Sequence, residues 1–157
     1  MNCKIIKKSA FKVIEKVSIH TTKNGENTRS VPAFWDKSHA DGTIKTLEAL
    51  ASGDTYLYGI CYDNPVKEDF EYSIAAVSEL EPPVGYRKNV IPELTWAVFP
   101  CKGAVSHSIN DTWKEIIEFF KTSQYESLRK MDMEVYPDGD TDSEDYYCEI
   151  WVAVVEK

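Results

Sequence analysis

Residues 108–155, SINDTWKEIIEFFKTSQYESLRKMDMEVYPDGDTDSEDYYCEIWVAVV, align without a gap with residues 30–77, SVPAFWDKSHADGTIKTLEALASGDTYLYGICYDNPVKEDFEYSIAAV. The offset is 78, and nine positions are identical, about three times the number expected by chance. The identical pairs include Trp35/Trp113, Tyr58/Tyr136, Glu71/Glu149 and Ala75/Ala153. The alignment therefore predicts an internal duplication.

Each half shows the same order of structural patterns: a strand, a helix and two further strands. The first strands are predicted at 11–19 and 94–101, where apolar, β-branched and aromatic residues are frequent. Two aromatic-rich strands close each half, TYLYGICYD with FEYSIAAV, and MDMEVY with YYCEIWVAVV. The repeat unit is thus strand, helix, strand, strand.

The helices follow from apolar spacing. In the second half Trp113, Ile116, Ile117 and Phe120 recur at i, i+3, i+4 and i+7, which predicts one apolar helix face. Ser108 or Asp111 is the predicted N-cap of this helix. In the first half Asp41 and Gly42 interrupt the apolar pattern, which predicts a helix broken in two.

Two such units predict an α+β fold with antiparallel sheets, helices on one face, a pseudo-twofold axis and a central ligand groove. We expect a single domain over residues 1–157, with repeat one at about 1–80 and repeat two at about 90–157. The linker EPPVGYRKNVIPE, residues 81–93, is predicted to end regular structure because of its prolines and its glycine.

Composition excludes several functions. The 157 residues are 43% hydrophobic, which provides enough apolar surface for a folded core. Eighteen Lys and Arg against 26 Asp and Glu give a net charge of −8. Nucleic-acid surfaces require clustered basic residues, and the sequence has no such run, so we expect no direct binding of nucleic acid.

The sequence also indicates a compartment. Its four cysteines, Cys3, Cys61, Cys101 and Cys148, form no C-x-x-C pair, so we expect reduced thiols. Neither a signal peptide nor an apolar run of about 18 residues is present, so we expect no membrane partner. The predicted localisation is cytoplasmic.

The segments VIPELTWAVFPCKG, TWKEIIEFF, MDMEVYPDG and YYCEIWVAV resemble the GyrI-like small-molecule-binding domain, also called the AraC-type effector-binding domain, and its free-standing integron-cassette branch. The resemblance covers nearly the whole chain. It implies a groove that binds amphipathic, often cationic aromatic compounds, with an acidic residue facing the ligand. The glutamate of the family's F-E-x-Y motif maps onto Glu134, which follows Met133 where the family has Phe, and Ala153 replaces a family proline.

The duplication points to the same residue. At an offset of 78, Glu134 aligns with Tyr56 while Tyr136 aligns with Tyr58, so one carboxylate replaces a phenol. A carboxylate among aromatic rings is partly desolvated and favours a cation that also stacks on those rings. The alternative is a solvated Glu134 on an edge strand.

The aromatic walls of the groove and a second acid complete the predicted site. Alternation along the last strand places Trp151 on the face of Glu149, which predicts a second acid in the groove. A structural role for Glu149 and its repeat partner Glu71 is the alternative. The predicted ligand-binding residues are Glu134, Tyr136, Glu149, Trp151, Trp113, Tyr58, Trp35, Trp96 and Tyr147.

The acidic stretch PDGDTDSED partly matches the pattern of a calcium-binding loop. Asp138, Asp140, Asp142 and Glu144 match EF-hand positions 1, 3, 5 and 7, but Ser143 occupies the position that requires glycine. We interpret the stretch as a solvated hairpin loop. The three histidines form no ligand motif, so neither a metal nor a cofactor is predicted.

The predicted function is a stand-alone effector-binding protein for a small, cationic, aromatic ligand. No nucleophile elbow or phosphate loop is present, so catalysis is not the favoured interpretation. One alternative is a hydrolase of a strained or activated small molecule in which Glu134 acts as general base. Another is a protein partner, such as DNA gyrase, recognised through the acidic surface.

Overall fold

The computed structural model describes residues 2–64 and 66–157; Met1 and Pro65 of the predicted domain lie outside the described residues. The elements are β1 Lys4–Lys8, β2 Phe11–Thr21, α1 Asn27–Ala40, α2 Thr43–Leu50, β3 Leu57–Tyr62, β4 Asp69–Val77, β5 Arg87–Ile91, β6 Leu94–Lys102, α3 Val105–Thr122, β7 Tyr125–Tyr136 and β8 Tyr147–Glu156. The strands form one sheet in the order β1-β6-β8-β7-β3-β4-β2-β5, and every neighbouring pair is antiparallel. The α+β prediction is confirmed.

The sheet shows the predicted duplication. Strands β2, β4 and β3 of the first half and β6, β8 and β7 of the second lie in mirrored order, and β3 pairs with β7 at the centre. The two predicted sheets are therefore joined into one.

Two edge strands were not predicted. Strand β1 precedes β2 in the chain but pairs with β6, and β5 precedes β6 but pairs with β2. Each half thus donates its leading strand to the other half. The linker prediction is wrong at 87–91, because pairing with β2 supplies the backbone hydrogen bonds that its charged sequence did not indicate.

The helices match the prediction in outline. The first helix is broken as expected, because Gly42 adopts a φ of 90°, and the Asp41 carboxylate then accepts bonds from the Thr43 N–H at 3.0 Å and hydroxyl at 2.6 Å. The predicted cap of α3 is wrong. The helix begins at Val105, one turn earlier, so Ser108 and Asp111 lie inside it.

The apolar face of α3 is rotated from the prediction. Ile116 is buried, whereas Ile117 is 59% exposed. Ile109 and Phe119 pack instead beside Trp113 and Phe120. The acidic stretch at 137–145 lies in the loop that connects β7 directly to β8, so the hairpin interpretation is confirmed.

The helices pack on one face of the sheet. Helices α1 and α2 cover β2 and β4 through a cluster that contains Leu47, Ile14 and Ile74, while α3 covers β6 and β8 through Ile116 and Phe99. The other face has a core of its own built from strand residues, among them Val13, Tyr58, Ile91, Trp96 and Met133. Within the described residues, strand side chains alone therefore build this second core.

A buried carboxylate ties β5 to the sheet on this helix-free face. Glu15 of β2 is fully buried and accepts hydrogen bonds from Tyr62, Ser73 and Arg87 at 2.5, 2.7 and 2.7 Å. Arg87 also contacts Glu71 at 3.1 Å. Every oxygen of Glu15 is thus paired, as a buried charge requires.

We expect Arg87→Ala to lower the free energy of unfolding by about 1–2 kcal/mol, because Glu15 loses its charged partner. Urea denaturation followed by far-UV circular dichroism measures this change. Lys88→Ala is the matched control, since Lys88 forms only an exposed pair with Glu81 and should have an effect below about 0.5 kcal/mol. Equal losses in both variants would contradict the assigned role of Arg87.

Candidate ligand-binding site

The helix face of the central pair β3–β7 lies between the two helix-covered halves. Along this pair Leu57 opposes Tyr136, Gly59 opposes Glu134 and Cys61 opposes Asp132. Met133 and Val135 belong to the core on the helix-free face, so alternation directs Glu134 to the side of the helices. The strand pairing therefore places the Glu134 carboxylate between α1 and α3.

A chain of hydrogen bonds links α1 to this carboxylate. The Trp35 indole Nε1 donates to the Tyr72 hydroxyl oxygen at 2.8 Å, and the Tyr72 hydroxyl donates to Glu134 Oε1 at 2.8 Å. The Tyr136 ring, on the same face of β7 as Glu134, packs edge-on against Trp35 with the ring centroids 5.2 Å apart. Three aromatic side chains from three elements thus surround one acid.

Gly59 provides the space for this arrangement. A Cβ at this position would overlap the Tyr72 hydroxyl and would lie 2.8 Å from Glu134 Oε1. Any larger residue would therefore displace the hydrogen bond between Tyr72 and Glu134. A glycine inside a strand commonly marks such a close approach.

Burial makes the charged form of the Glu134 carboxyl group energetically unfavourable. Burial raises the pKa of Glu134 above its ordinary value, and hydrogen bonds from Tyr72 and Tyr136 oppose that increase. The residue nevertheless keeps part of its surface accessible. Within the part of the chain that the structure describes, Glu134 forms no ion pair with Lys, Arg or His. It is thus a half-buried carboxyl group without a protein counter-charge among the described residues.

A second group of polar side chains lies next to Glu134 on the helix side of the central strand pair. The ligand atoms of Cys61, Asp63 and Asp132 all lie within 4.8 Å of one another. Burial and repulsion from Asp63 and Glu134 raise the pKa of Asp132. An adjoining cavity of about 350 Å³ is lined in part by Cys61, Asp63 and Arg129. The lining of this cavity also contains Lys67, so it combines acidic with basic groups.

Three of the predicted site residues meet here: Glu134, Tyr136 and Trp35. Trp113 lies on α3, half-buried in the cluster that packs α3 on the sheet. The remaining five, Glu149, Trp151, Tyr58, Trp96 and Tyr147, do not join them.

The structure does not bring all nine predicted residues to one groove. Tyr58, Trp96 and Trp151 belong to the core on the helix-free face. Glu149 opposes Val135, a neighbour of Glu134 that points to that same core, so the two acids face opposite sides.

A structural role therefore explains the position of Glu149 better than ligand binding does. Its carboxylate accepts hydrogen bonds from Tyr147 at 2.9 Å and from Trp151 at 3.1 Å, both within β8. Alternation correctly predicted that Trp151 shares its face, but not which face this is.

The gapless repeat alignment also fails in the central strands. Tyr58 points to the helix-free core, whereas Tyr136 packs beside Trp35 on the helix side, so the two are not equivalent. A shift of one residue reverses the side on which a strand residue lies. The pairings of Glu134 with Tyr56 and of Tyr136 with Tyr58 are therefore corrected.

Tyr72 and Gly59 were missed as functional residues. The glycine within YLYGICY was a usable sign, because glycine is otherwise unfavourable inside such a strand. Nothing in the sequence marked Tyr72 apart from neighbouring tyrosines, because its role depends on reaching across Gly59.

Comparisons with known proteins agree with this architecture. The structure of SAV2435 bound to tetraphenylphosphonium matches with a TM-score of 0.87 and 21% identity, over 99% of this chain and 94% of that one. An integron cassette protein from Vibrio cholerae matches with a TM-score of 0.72 and 19% identity, over 98% and 95%. The C-terminal domain of EcmrR matches with a TM-score of 0.68 and 18% identity, over 99% and 98%. At these identities the likeness establishes the fold.

The remaining comparisons concern the sequence. A search of curated proteins finds no match. Among the described residues no helix is both long and apolar enough to cross a membrane. The model of the GyrI-like small-molecule-binding domain matches residues 1–155, so this chain belongs to the GyrI-like family.

Proposed function

We propose that this protein binds small amphipathic aromatic cations between α1 and α3, with the Glu134 carboxylate as the counter-charge. The observation that carries the proposal is the half-buried Glu134 carboxyl group, which has no basic partner among the described residues and is enclosed by Tyr72, Tyr136 and Trp35. A cation at this point relieves the cost of keeping Glu134 ionised.

The surrounding rings favour an aromatic or delocalised cation. Each cation–π contact contributes roughly 0.5–2 kcal/mol, and the value increases as water is excluded. Buried apolar area adds about 25 cal/mol per Å². A ligand that combines charge with aromatic surface therefore uses both features of the site, and micromolar affinity requires only a few such contacts.

The family description supports a small-molecule ligand. One related structure, SAV2435, contains tetraphenylphosphonium, a cation surrounded by aromatic rings. That compound is therefore a rational first probe. The proposed biological role is sequestration or sensing of such compounds in the cytoplasm.

The proposal is tested by titrating tetraphenylphosphonium into the protein and following tryptophan fluorescence. Triphenylphosphine oxide provides a neutral ligand of similar shape. We expect saturable binding of the cation and at least about tenfold weaker binding of the neutral compound. Trp35→Phe should remove most of the fluorescence response, which assigns the signal to the groove. Equal affinities for the two compounds would contradict the proposal.

Binding of the cation should depend on pH. Protonation of Glu134 removes the counter-charge, so affinity should fall as the pH is lowered through the pKa of this residue. Because burial raises that pKa, the loss should begin at a higher pH than for an ordinary glutamate. Calorimetric titrations at several pH values measure the profile. A neutral ligand with the same profile would show that Glu134 is not responsible.

The same carboxylate could serve a hydrolase. Its raised pKa suits a general base, and Tyr72 and Tyr136 are hydrogen-bond donors beside it. Turnover of an activated ester that disappears in Glu134→Gln would support this second function. Tight binding of the cation without turnover favours the binding protein.

A further inference from the structure

We propose that Cys101 and Cys148 form a redox-active dithiol that closes to a disulfide beneath the ligand-binding face. The two residues are direct partners on the antiparallel strands β6 and β8. Opposed residues in such a pair have Cα atoms about 4.5–5.5 Å apart, within the range of about 4.4–6.8 Å that disulfides require. The bond can therefore form without a change of register.

Both thiols point to the helix side of the sheet. Cys101 is 1% exposed and Cys148 is fully buried, and together with Tyr146 they form one buried cluster. The other cysteines lie elsewhere, since Cys3 packs in the cluster under α3 and Cys61 lies beside Asp63. Cys101 and Cys148 are thus each other's partner for an intramolecular bond.

The surroundings of the pair are those of a reactive thiol. Ser108 and Thr112 of α3 place their hydroxyls beside Cys101. The Ser108 oxygen is buried and has no hydrogen-bond partner of ordinary geometry among the described residues, so it is free to donate to a thiolate. The adjoining Cys148 thiol lowers the pKa of Cys101 to about 6, whereas the pKa of Cys148 is raised.

The difference in pKa assigns the nucleophilic role to Cys101 and the resolving role to Cys148. Cys101 attacks hydrogen peroxide as the thiolate, which breaks the O–O bond and leaves a sulfenic acid and hydroxide. The Cys148 thiol then attacks the sulfenic sulfur, the disulfide forms and water is released. The Cys148 proton leaves in that water, and the proton that Cys101 released on ionising combines with the hydroxide, so two thiols lose two electrons and one peroxide is reduced to two waters.

For an oxidant from solvent, access to Cys101 and Cys148 passes one aromatic side chain, Tyr146. Tyr146 belongs to the buried cluster and also lines a surface cavity of about 390 Å³ in the β7–β8 loop. Its hydroxyl donates to the Pro137 carbonyl at 2.6 Å, which keeps the ring in place. Displacement of Tyr146 therefore connects the cavity with the thiols.

The test is peroxide treatment of the native full-length protein, followed by thiol counting and peptide mapping by mass spectrometry. We expect the loss of two of the four thiols and a single disulfide between Cys101 and Cys148. Cys148→Ser should stop at a sulfenic acid on Cys101, which dimedone traps, and Cys101→Ser should form neither product. Circular dichroism checks that these variants are folded.

Two further variants test the access route. Tyr146→Ala should speed disulfide formation several-fold, whereas Tyr56→Ala, at an exposed residue outside the lining of this cavity, should leave the rate unchanged. The proposal is overturned if native protein oxidises at Cys3 or Cys61 while the pair stays reduced, or if the pair oxidises only after denaturation. If the cysteine variants fail to fold, the peptide map of the wild-type protein alone decides.

Discussion

Replacing Glu134 with glutamine should weaken binding of tetraphenylphosphonium by about 10- to 100-fold, equivalent to roughly 1.4–2.8 kcal/mol. Glutamine preserves the shape and can still accept the hydrogen bond from Tyr72, so the variant removes charge alone. Affinity for the neutral phosphine oxide should remain within about twofold. Calorimetric titration of both ligands into both proteins measures the two effects.

The same substitution should stabilise the ligand-free protein at neutral pH. The folded-state pKa of Glu134 is raised, so folding favours its protonated form, and native stability is lost as the pH rises through that pKa. A neutral side chain avoids this loss. The combination of a higher free energy of unfolding with weaker cation binding separates a functional charge from a structural one.

Glu149→Gln is the matched control for this experiment. Glu149 is also a strand glutamate with aromatic hydrogen-bond donors, but it faces the opposite side of the sheet. We expect no change in affinity for the cation. If Glu149→Gln weakens binding as much as Glu134→Gln, a general effect of surface charge explains both, and Glu134 is not the counter-charge.

Local patterns predicted the elements that position Glu134. Aromatic and β-branched runs identified β3 and β7, and Asp41 and Gly42 identified the break between α1 and α2, because these features depend on neighbours in the chain. The acid itself came from the family motif. What these patterns could not provide was the partner of each strand.

For the same reason, the sequence patterns could not predict which face of the sheet each strand residue occupies. Which face of a strand meets the helices is decided by pairing across the sheet, and a shift of one residue reverses it. Glu149 and Glu134 are both strand acids among aromatic residues, yet the register of β7 with β8 sends them to opposite faces. The exchange of β1 and β5 between the halves is likewise a long-range pairing without a local sequence pattern.

Gly59→Ala should lower the free energy of unfolding by about 3 kcal/mol, at the upper end of typical overpacking effects. The added methyl group would overlap the Tyr72 hydroxyl and approach Glu134 Oε1 to 2.8 Å, opposite a strand position that cannot shift without breaking the pairing of β3 with β7. Cation binding should weaken as well, because the bond that orients the carboxylate is lost. Urea denaturation and calorimetric titration measure the two losses.

Combining Gly59→Ala with Tyr72→Phe tests whether the loss of stability comes from the contact between the new methyl group and the Tyr72 hydroxyl. Removing the hydroxyl eliminates the worst contact of the new methyl group, although the ring carbon that carried it would still lie 3.1 Å away. The double variant should therefore be more stable than the sum of the two single changes predicts, by about 1 kcal/mol or more, as expected for residues in contact. Strict additivity would mean that Gly59 is required for the strand backbone and not for the space that Tyr72 and Glu134 share. Recovery of stability without recovery of cation binding would be consistent with the proposed site, since phenylalanine cannot donate to the carboxylate.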